Sequence, residues 1–206
     1  MSKITIKFGF LTLLFLSTYL SYSQVQKIEK GNIIIHFKDG TTVSGNEFRY
    51  KSNVFNPDGF VYFKNNKKKK YKVDIIAYGI IKQSYIDNDS IKRQINRKFV
   101  YKKINEVYKE LDVLEEGKVN LFTIEYFATN TITNTNTSFR HFYVQREFEN
   151  RITLIAKDRM SSKRFIKKAS KYFYDCPELI LKIKNKEYSY KDVVNVIKFY
   201  NTQCKK

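Results

Sequence analysis

Tryptophan is absent from this 206-residue chain, and cysteine, methionine, histidine and proline occur twice each. Seven glycines and four alanines complete the list of scarce residues. Each shortage removes a class of function. No glycine-rich segment is present to cradle a phosphate. Two histidines and two cysteines, far apart in sequence, fall short of the ligand set of a zinc or related metal centre. Without tryptophan, the chain lacks a side chain that sugar clefts commonly use as a stacking platform. After residue 20 no segment is apolar for the roughly 20 residues that a membrane-spanning helix needs.

Acidic residues are also outnumbered. The chain carries 39 Lys and Arg against 20 Asp and Glu, a formal charge of +19. Of the 39 cations, 31 are Lys and 8 are Arg. Dedicated phosphate and nucleic-acid sites favour the bidentate Arg fork, so no specific nucleic-acid partner is expected. The 22 Ile and 17 Asn, with so few Ala, Gly and Pro, match AT-rich codon usage. Such usage raises the Lys content of any surface without a ligand. A charge this high still favours contact with anionic glycan or lipid surfaces at low salt.

What is present begins with an export signal. Lys3 and Lys7 provide a positive start, Phe8 to Leu20 is an apolar run of 13 residues, and Ser21-Tyr22-Ser23 ends in small residues. Cleavage is expected between Ser23 and Gln24. The apolar run is too short for a retained span, and no cysteine follows it for lipid attachment. The expected organisation is a signal peptide over 1–23, a β-rich domain over 24–158 and a disulfide-stapled helical segment over 159–206. The mature chain would carry a charge of +17, because the signal holds two Lys and no acid (37 − 20). The full chain's 33 Phe and Tyr residues, five of them before residue 24, suffice for a packed core. Export points to the periplasm, the outer-membrane periphery or the extracellular space.

The hydrophobic pattern predicts fold class α+β: an antiparallel, hairpin-rich N-terminal region followed by two or three short helices. Gly31 to Phe37 is a strand that turns at Asp39-Gly40. Asn56-Pro57-Asp58-Gly59 predicts a second turn. Phe60 to Phe63 predicts a strand, and Lys67 to Lys70 a solvated hairpin tip. Tyr71 to Ile75 alternates with the strand period. Lys82 to Arg97 predicts a loop or a short helix, followed by a strand at Phe99 to Tyr101. Leu111 to Phe127 predicts a hairpin folded at Glu115 to Lys118. Ile104 to Leu114 also fits a 3.6-residue period, which leaves residues 95–115 open between strand and helix. The Thr/Asn tract Ala128 to Ser138 predicts an exposed loop, and Phe139 to Glu147 and Ile152 to Ala156 a last strand pair.

From Ser161 the period becomes helical. Phe165, Ile166, Ala169 and Phe173 share a face. Asp175 is expected to cap a helix with Pro177 in its first turn and Leu179, Ile180 and Ile183 buried. Ser189 and Asp192 resemble a capping box before Val193, Val194, Ile197 and Tyr200. Cys176 and Cys204 fall at the start of one helix and the end of another. In an exported chain an even cysteine count favours a disulfide over two buried thiols. Closing that loop would stabilise by about 3–4 kcal/mol.

Catalytic candidates are thin. His36 and His141 each lie in an apolar strand, with no nucleophile motif and no Asp placed to orient them. A strand histidine is more often structural. Paired carboxylates of a hydrolase would meet only in the fold. No catalytic residue, cofactor or metal is assigned from the sequence. Asp89-Ser90-Ile91 matches the Asp, hydroxyl, aliphatic pattern of O-glycosylation sites in exported Bacteroidota proteins, which makes Ser90 a candidate.

Tyr172-Phe173-Tyr174-Asp175-Cys176-Pro177-Glu178-Leu179, then Lys182-Ile183 and Phe199-Tyr200-Asn201 to Cys204, resembles a group of uncharacterised exported proteins of flavobacteria and other Bacteroidota. Their N-terminal part similarly opens on a strand, a Gly-containing turn and a second strand, as from Gly31 to Gly45. The resemblance implies a Gram-negative source and paired cysteines, and brings no activity or ligand. The expected function is a non-enzymatic exported module that binds another macromolecule, most simply an envelope protein. The alternatives are a polyanion, surface-glycan or anionic-lipid binder using a Lys-rich face, and a hydrolase with unrecognised acidic residues.

Overall fold

The computed structural model describes residues 28–53, 56–65, 67–86, 92–130 and 135–204. Ten strands form one antiparallel sheet: β1 (Ile28–Phe37), β2 (Thr42–Asn53), β3 (Asn56–Asn65), β4 (Lys67–Lys72), β5 (Ile76–Ile86), β6 (Lys92–Ile104), β7 (Val107–Glu115), β8 (Val119–Asn130), β9 (Thr135–Arg146) and β10 (Thr153–Lys157). Three helices follow, α1 (Ser162–Tyr172), α2 (Pro177–Lys184) and α3 (Val193–Gln203). The fold is therefore α+β, with an open sheet and C-terminal helices. The proposed cut between Ser23 and Gln24, and Ser90, lie outside the described residues.

Strand order is β10-β9-β8-β7-β6-β5-β1-β2-β3-β4. Only the three-residue 3-10 turn Val73–Ile75 joins β4 to β5, yet three strands lie between them in the sheet. At a few ångströms per residue such a link cannot cross a flat sheet, where neighbouring strands are about 4.8 Å apart. The β1–β4 end must therefore curl back. It does so over β6 and β7: the Tyr50 hydroxyl donates to the Tyr108 carbonyl, and the Tyr50 ring lies 4.9 Å from that of Tyr101. Inside the curl Ile33, Ile35, Val61, Val73, Ile81, Phe99 and Tyr101 form a buried core.

A second core occupies the same face at the other end. Val119, Leu121, Phe142, Val144, Ile155 and Ala156 pack beneath Phe165, Phe173, Leu179, Ile183, Val196 and Ile197 of the helices. A bulge between Leu154 and Ala156 turns both Ile155 and Ala156 toward the helices. The disulfide joins Cys176 to Cys204 with a Cα–Cα distance of 5.6 Å. Beside it the Arg146 guanidinium donates to Asp175 (2.7 Å), to the Tyr172 carbonyl (2.9 Å) and to the Tyr200 hydroxyl (3.2 Å).

Several local expectations are corrected. Lys67 to Lys70 lie in edge strand β4, not at a hairpin tip. Lysines along an edge deter pairing with another chain. Asn56 to Gly59 belong to β3. There the Pro-Asp-Gly signal forms a two-residue irregularity between the Lys51↔Phe60 and Asn53↔Asn56 pairs, with Gly59 at φ +62°. The strand expected over Tyr71 to Ile75 is interrupted, because Val73–Ile75 is the 3-10 link. Lys82 to Arg97 belong to β5 and β6 wherever described, so they form strand rather than loop or helix. Ile104 to Leu114 is no helix: Asn105 and Glu106, at φ +50° and +64°, make a two-residue hairpin turn between paired Ile104 and Val107. The Thr/Asn tract extends β8 to Asn130 and starts β9 at Thr135, since Thr suits an exposed strand even without apolar neighbours. Asp175 does not cap α2. Cys176 holds the cap position, and the Asp175 carboxylate goes to Arg146 and Tyr200. The Ser189–Asp192 box is formed, with the Asp192 carboxylate accepting from the Ser189 backbone at 2.9 Å.

Candidate binding face of the sheet

Both cores lie on the inner face. Ladder partners share a face, so the registers assign the outer one. Ile34, His36, Tyr78 and Ile80 begin it on β1 and β5. Lys98, Val100, Lys102 and Ile104 continue it on β6, opposite Lys109, Leu111 and Val113 on β7. Phe122, Ile124 and Tyr126 on β8 and Phe139, His141 and Tyr143 on β9 extend it, ending with Leu154 and Lys157 on β10. Leu111, Phe122 and Tyr143 are its buried centre, with Val100, Ile104, Val113, Ile124, Ile152 and Leu154 around them. None of the described helices contributes to this cluster.

Rings pave both ends. His36 stacks on Tyr78 at 4.2 Å, and Tyr126 on Phe139 at 5.7 Å with His141 tilted against both. The Lys98 ammonium lies 4.5 Å from the Tyr78 ring centre and that of Lys102 5.4 Å from Phe122. Burial lowers the Lys102 pKa, and Lys38 nearby lowers it further. Burial also depresses His141, with Lys157 adding to the effect. Burial raises Tyr143 far above the ordinary phenol range, reinforced by its hydrogen bond to Tyr126.

Charge is sorted between the faces. Strands β5 to β10 carry four carboxylates, Glu110, Asp112, Glu115 and Glu125. All four pair with residues of the inner face. Arg97, Arg140 and Arg146 are on that face too, and Arg97 binds Glu110 at 2.6 Å and also Asp112. The outer face holds Lys82, Lys98, Lys102, Lys109 and Lys157 and no carboxylate on these strands, although Glu116, just past β7, reaches Lys98 at 2.7 Å. Codon usage explains abundant Lys, but not this separation. The strand period of two made the alternation visible in sequence. The shared parity of lysines and rings across six strands appears only when the register is known.

The catalytic candidates do not converge. His36 on β1 and His141 on β9 have four strands between them, about 24 Å along the sheet at about 4.8 Å per strand. Glu110 and Asp112 do meet, but on one guanidinium. The Tyr101 hydroxyl donates to Glu110 at 3.1 Å, which fixes the carboxylate further. Among the described residues no group of three or more His, Cys, Asp or Glu is placed to hold a metal ion, and no helix is long and apolar enough to cross a membrane. Comparison with protein-family models, with curated proteins and with solved structures finds no match to this chain.

Proposed function

We propose that this protein is an exported, non-enzymatic module that binds another macromolecule through the outer face of its sheet. The observation that carries the reading is that face itself: rings, aliphatic side chains and lysines across β1 and β5–β10, with none of the described helices packed on it. Half-buried rings and aliphatic side chains around a buried apolar centre, with lysines among them and no described helix above, leave this face available to a partner. Export is supported by the N-terminal signal pattern and by the disulfide, a bond characteristic of oxidising compartments. On this reading the exported chain begins at Gln24, which the mass of its N-terminal peptide checks directly.

The working surface is tested in living cells with a photo-crosslinking residue at Tyr78 or Val113, and at Lys163 on α1 as the reference. Adducts to one dominant species from the two sheet positions, and none from Lys163, are expected. Equal labelling from all three positions, or from Lys163 alone, moves the surface elsewhere.

A further inference from the structure

We infer that the outer face binds an acidic polysaccharide, its anionic groups on the lysines and its sugar rings on the aromatic platforms. This rests on the proposed working surface and adds the chemistry of the occupant. The first argument is charge complementarity. Lys82, Lys102, Lys109 and Lys157 are spread over the adjacent strands β5, β6 and β7 and over β10, with Lys98 beside them paired to the exposed Glu116, while the carboxylates of β5–β10 all turn inward. A cation row of this kind repeats along a polymer, whereas one small anion would use a single pocket. Lys102 and Lys109 are ladder partners, and like charges directly opposite are unfavourable. Lys102 also sits partly desolvated near Lys38. Bound anions would relieve both costs.

The second argument is shape. The large exposed hydrophobics of the described residues are Ile75, Leu114, Phe127, Phe148, Tyr174 and Leu181. None belongs to the outer-face set. Its rings are half-buried at His36, Tyr78, Tyr126, Phe139 and His141 and buried at Phe122 and Tyr143. An interfacial membrane binder inserts protruding apolar groups about 5–10 Å into the bilayer, and this face offers none. A sugar polymer instead lies along a surface, and the apolar side of a pyranose covers a ring while its acidic groups reach neighbouring ammonium ions. The face has no Arg on β5–β10 among the described side chains, which weighs against phosphodiester recognition.

The test measures binding of the purified protein to polygalacturonate, with dextran, phosphatidylglycerol vesicles and poly-dT as the other probes. Lys102→Glu with Lys109→Glu is compared with Lys163→Glu with Lys167→Glu, two exposed positions of α1. Both double variants change net charge equally. The expected result is binding to polygalacturonate but not dextran, weakened at least tenfold by the sheet pair and less than twofold by the helix pair. Tyr126→Leu, which keeps apolar area but loses the ring, should weaken it about threefold. Circular dichroism monitors folding, and Lys102→Gln with Lys109→Gln replaces the reversal if that variant unfolds. Equal losses from both pairs would reduce the effect to net charge and overturn the inference. Tighter binding to vesicles or poly-dT, still lost with the sheet pair, overturns the polysaccharide while sparing the surface. No binding to any probe, with no crosslinks from Tyr78 or Val113, overturns both.

Discussion

One sheet is stabilised in two different ways at its two ends. At the β8–β10 end, helices cover the inner face, a disulfide joins the start of α2 to the end of α3, and Arg146 ties strand to helices. At the β1–β4 end no α-helix is found among the described residues: the sheet curls and covers itself, with Phe99 lying over Gly79 so closely that a Cβ at Gly79 would overlap its ring. The helical end is cross-linked by a covalent bond and by polar contacts between strand and helix, such as Arg146 to Asp175 and Val119 to Asn201. The curled end depends on aromatic packing between strands distant in sequence. The outer face nevertheless runs from β1 through β5 to β10, so what distinguishes the ends is how each is held, while the proposed work reaches from β1 to the helical end.

This comparison can be broken experimentally. The largest effect is expected at the curled end, where Phe99→Ala should lose about 3–5 kcal/mol. Urea unfolding measures it, and hydrogen exchange should open β1, β5 and β6 before the helices. Reducing Cys176–Cys204 should cost about 3–4 kcal/mol with the opposite pattern, loosening α2 and α3 first. Uniform loss of protection would show one cooperative unit rather than two modes. Asp175→Ala strands the Arg146 guanidinium with only the Tyr172 carbonyl and the Tyr200 hydroxyl. It should cost about 3 kcal/mol, and Arg146→Met with Asp175→Ala should recover part of it.

The pH dependence adds a test that touches both ends. Burial and the hydrogen bond to Asp175 push Tyr200 up to about 12. Burial likewise raises Tyr101, beside Glu110, in the curled core. The unfolded chain loses phenolic protons near pH 10, before the folded one does, so stability should fall as pH rises from about 10 toward 12. Tyr200→Phe should flatten that fall at the helical end. A melting temperature unchanged across this range would contradict the buried phenols. The smallest effect is expected from Lys98→Ala: its partner Glu116 is 60% exposed, so the ion pair should contribute about 0–1 kcal/mol.

Much of the local structure was legible. Strand alternation, the Asp39-Gly40 turn, the Ser189–Asp192 box and the apolar faces of the helices are short-range signals, and the chain follows them. The failures have a common cause. Ile104 to Leu114 satisfies both the strand and the helix period, and the decision came from a turn at Asn105-Glu106 whose Glu adopts a backbone conformation it rarely takes. Lys67 to Lys70 looked like a tip because repulsion is relieved by water, and an edge strand supplies the same water. The candidate face was the least legible feature, because no single strand reveals it.

By itself the sequence determined the α+β composition, the C-terminal helices and the two cysteines that the disulfide joins, since each follows from residues near one another or from simple counts. Only the tertiary structure decided that β1 lies between β5 and β2, that the sheet curls onto β6 and β7, and that lysines and rings share one face while carboxylates take the other. A side chain's strand gives it two faces to choose from. Which face is covered depends on register and on packing partners far along the chain, and no local pattern contains either.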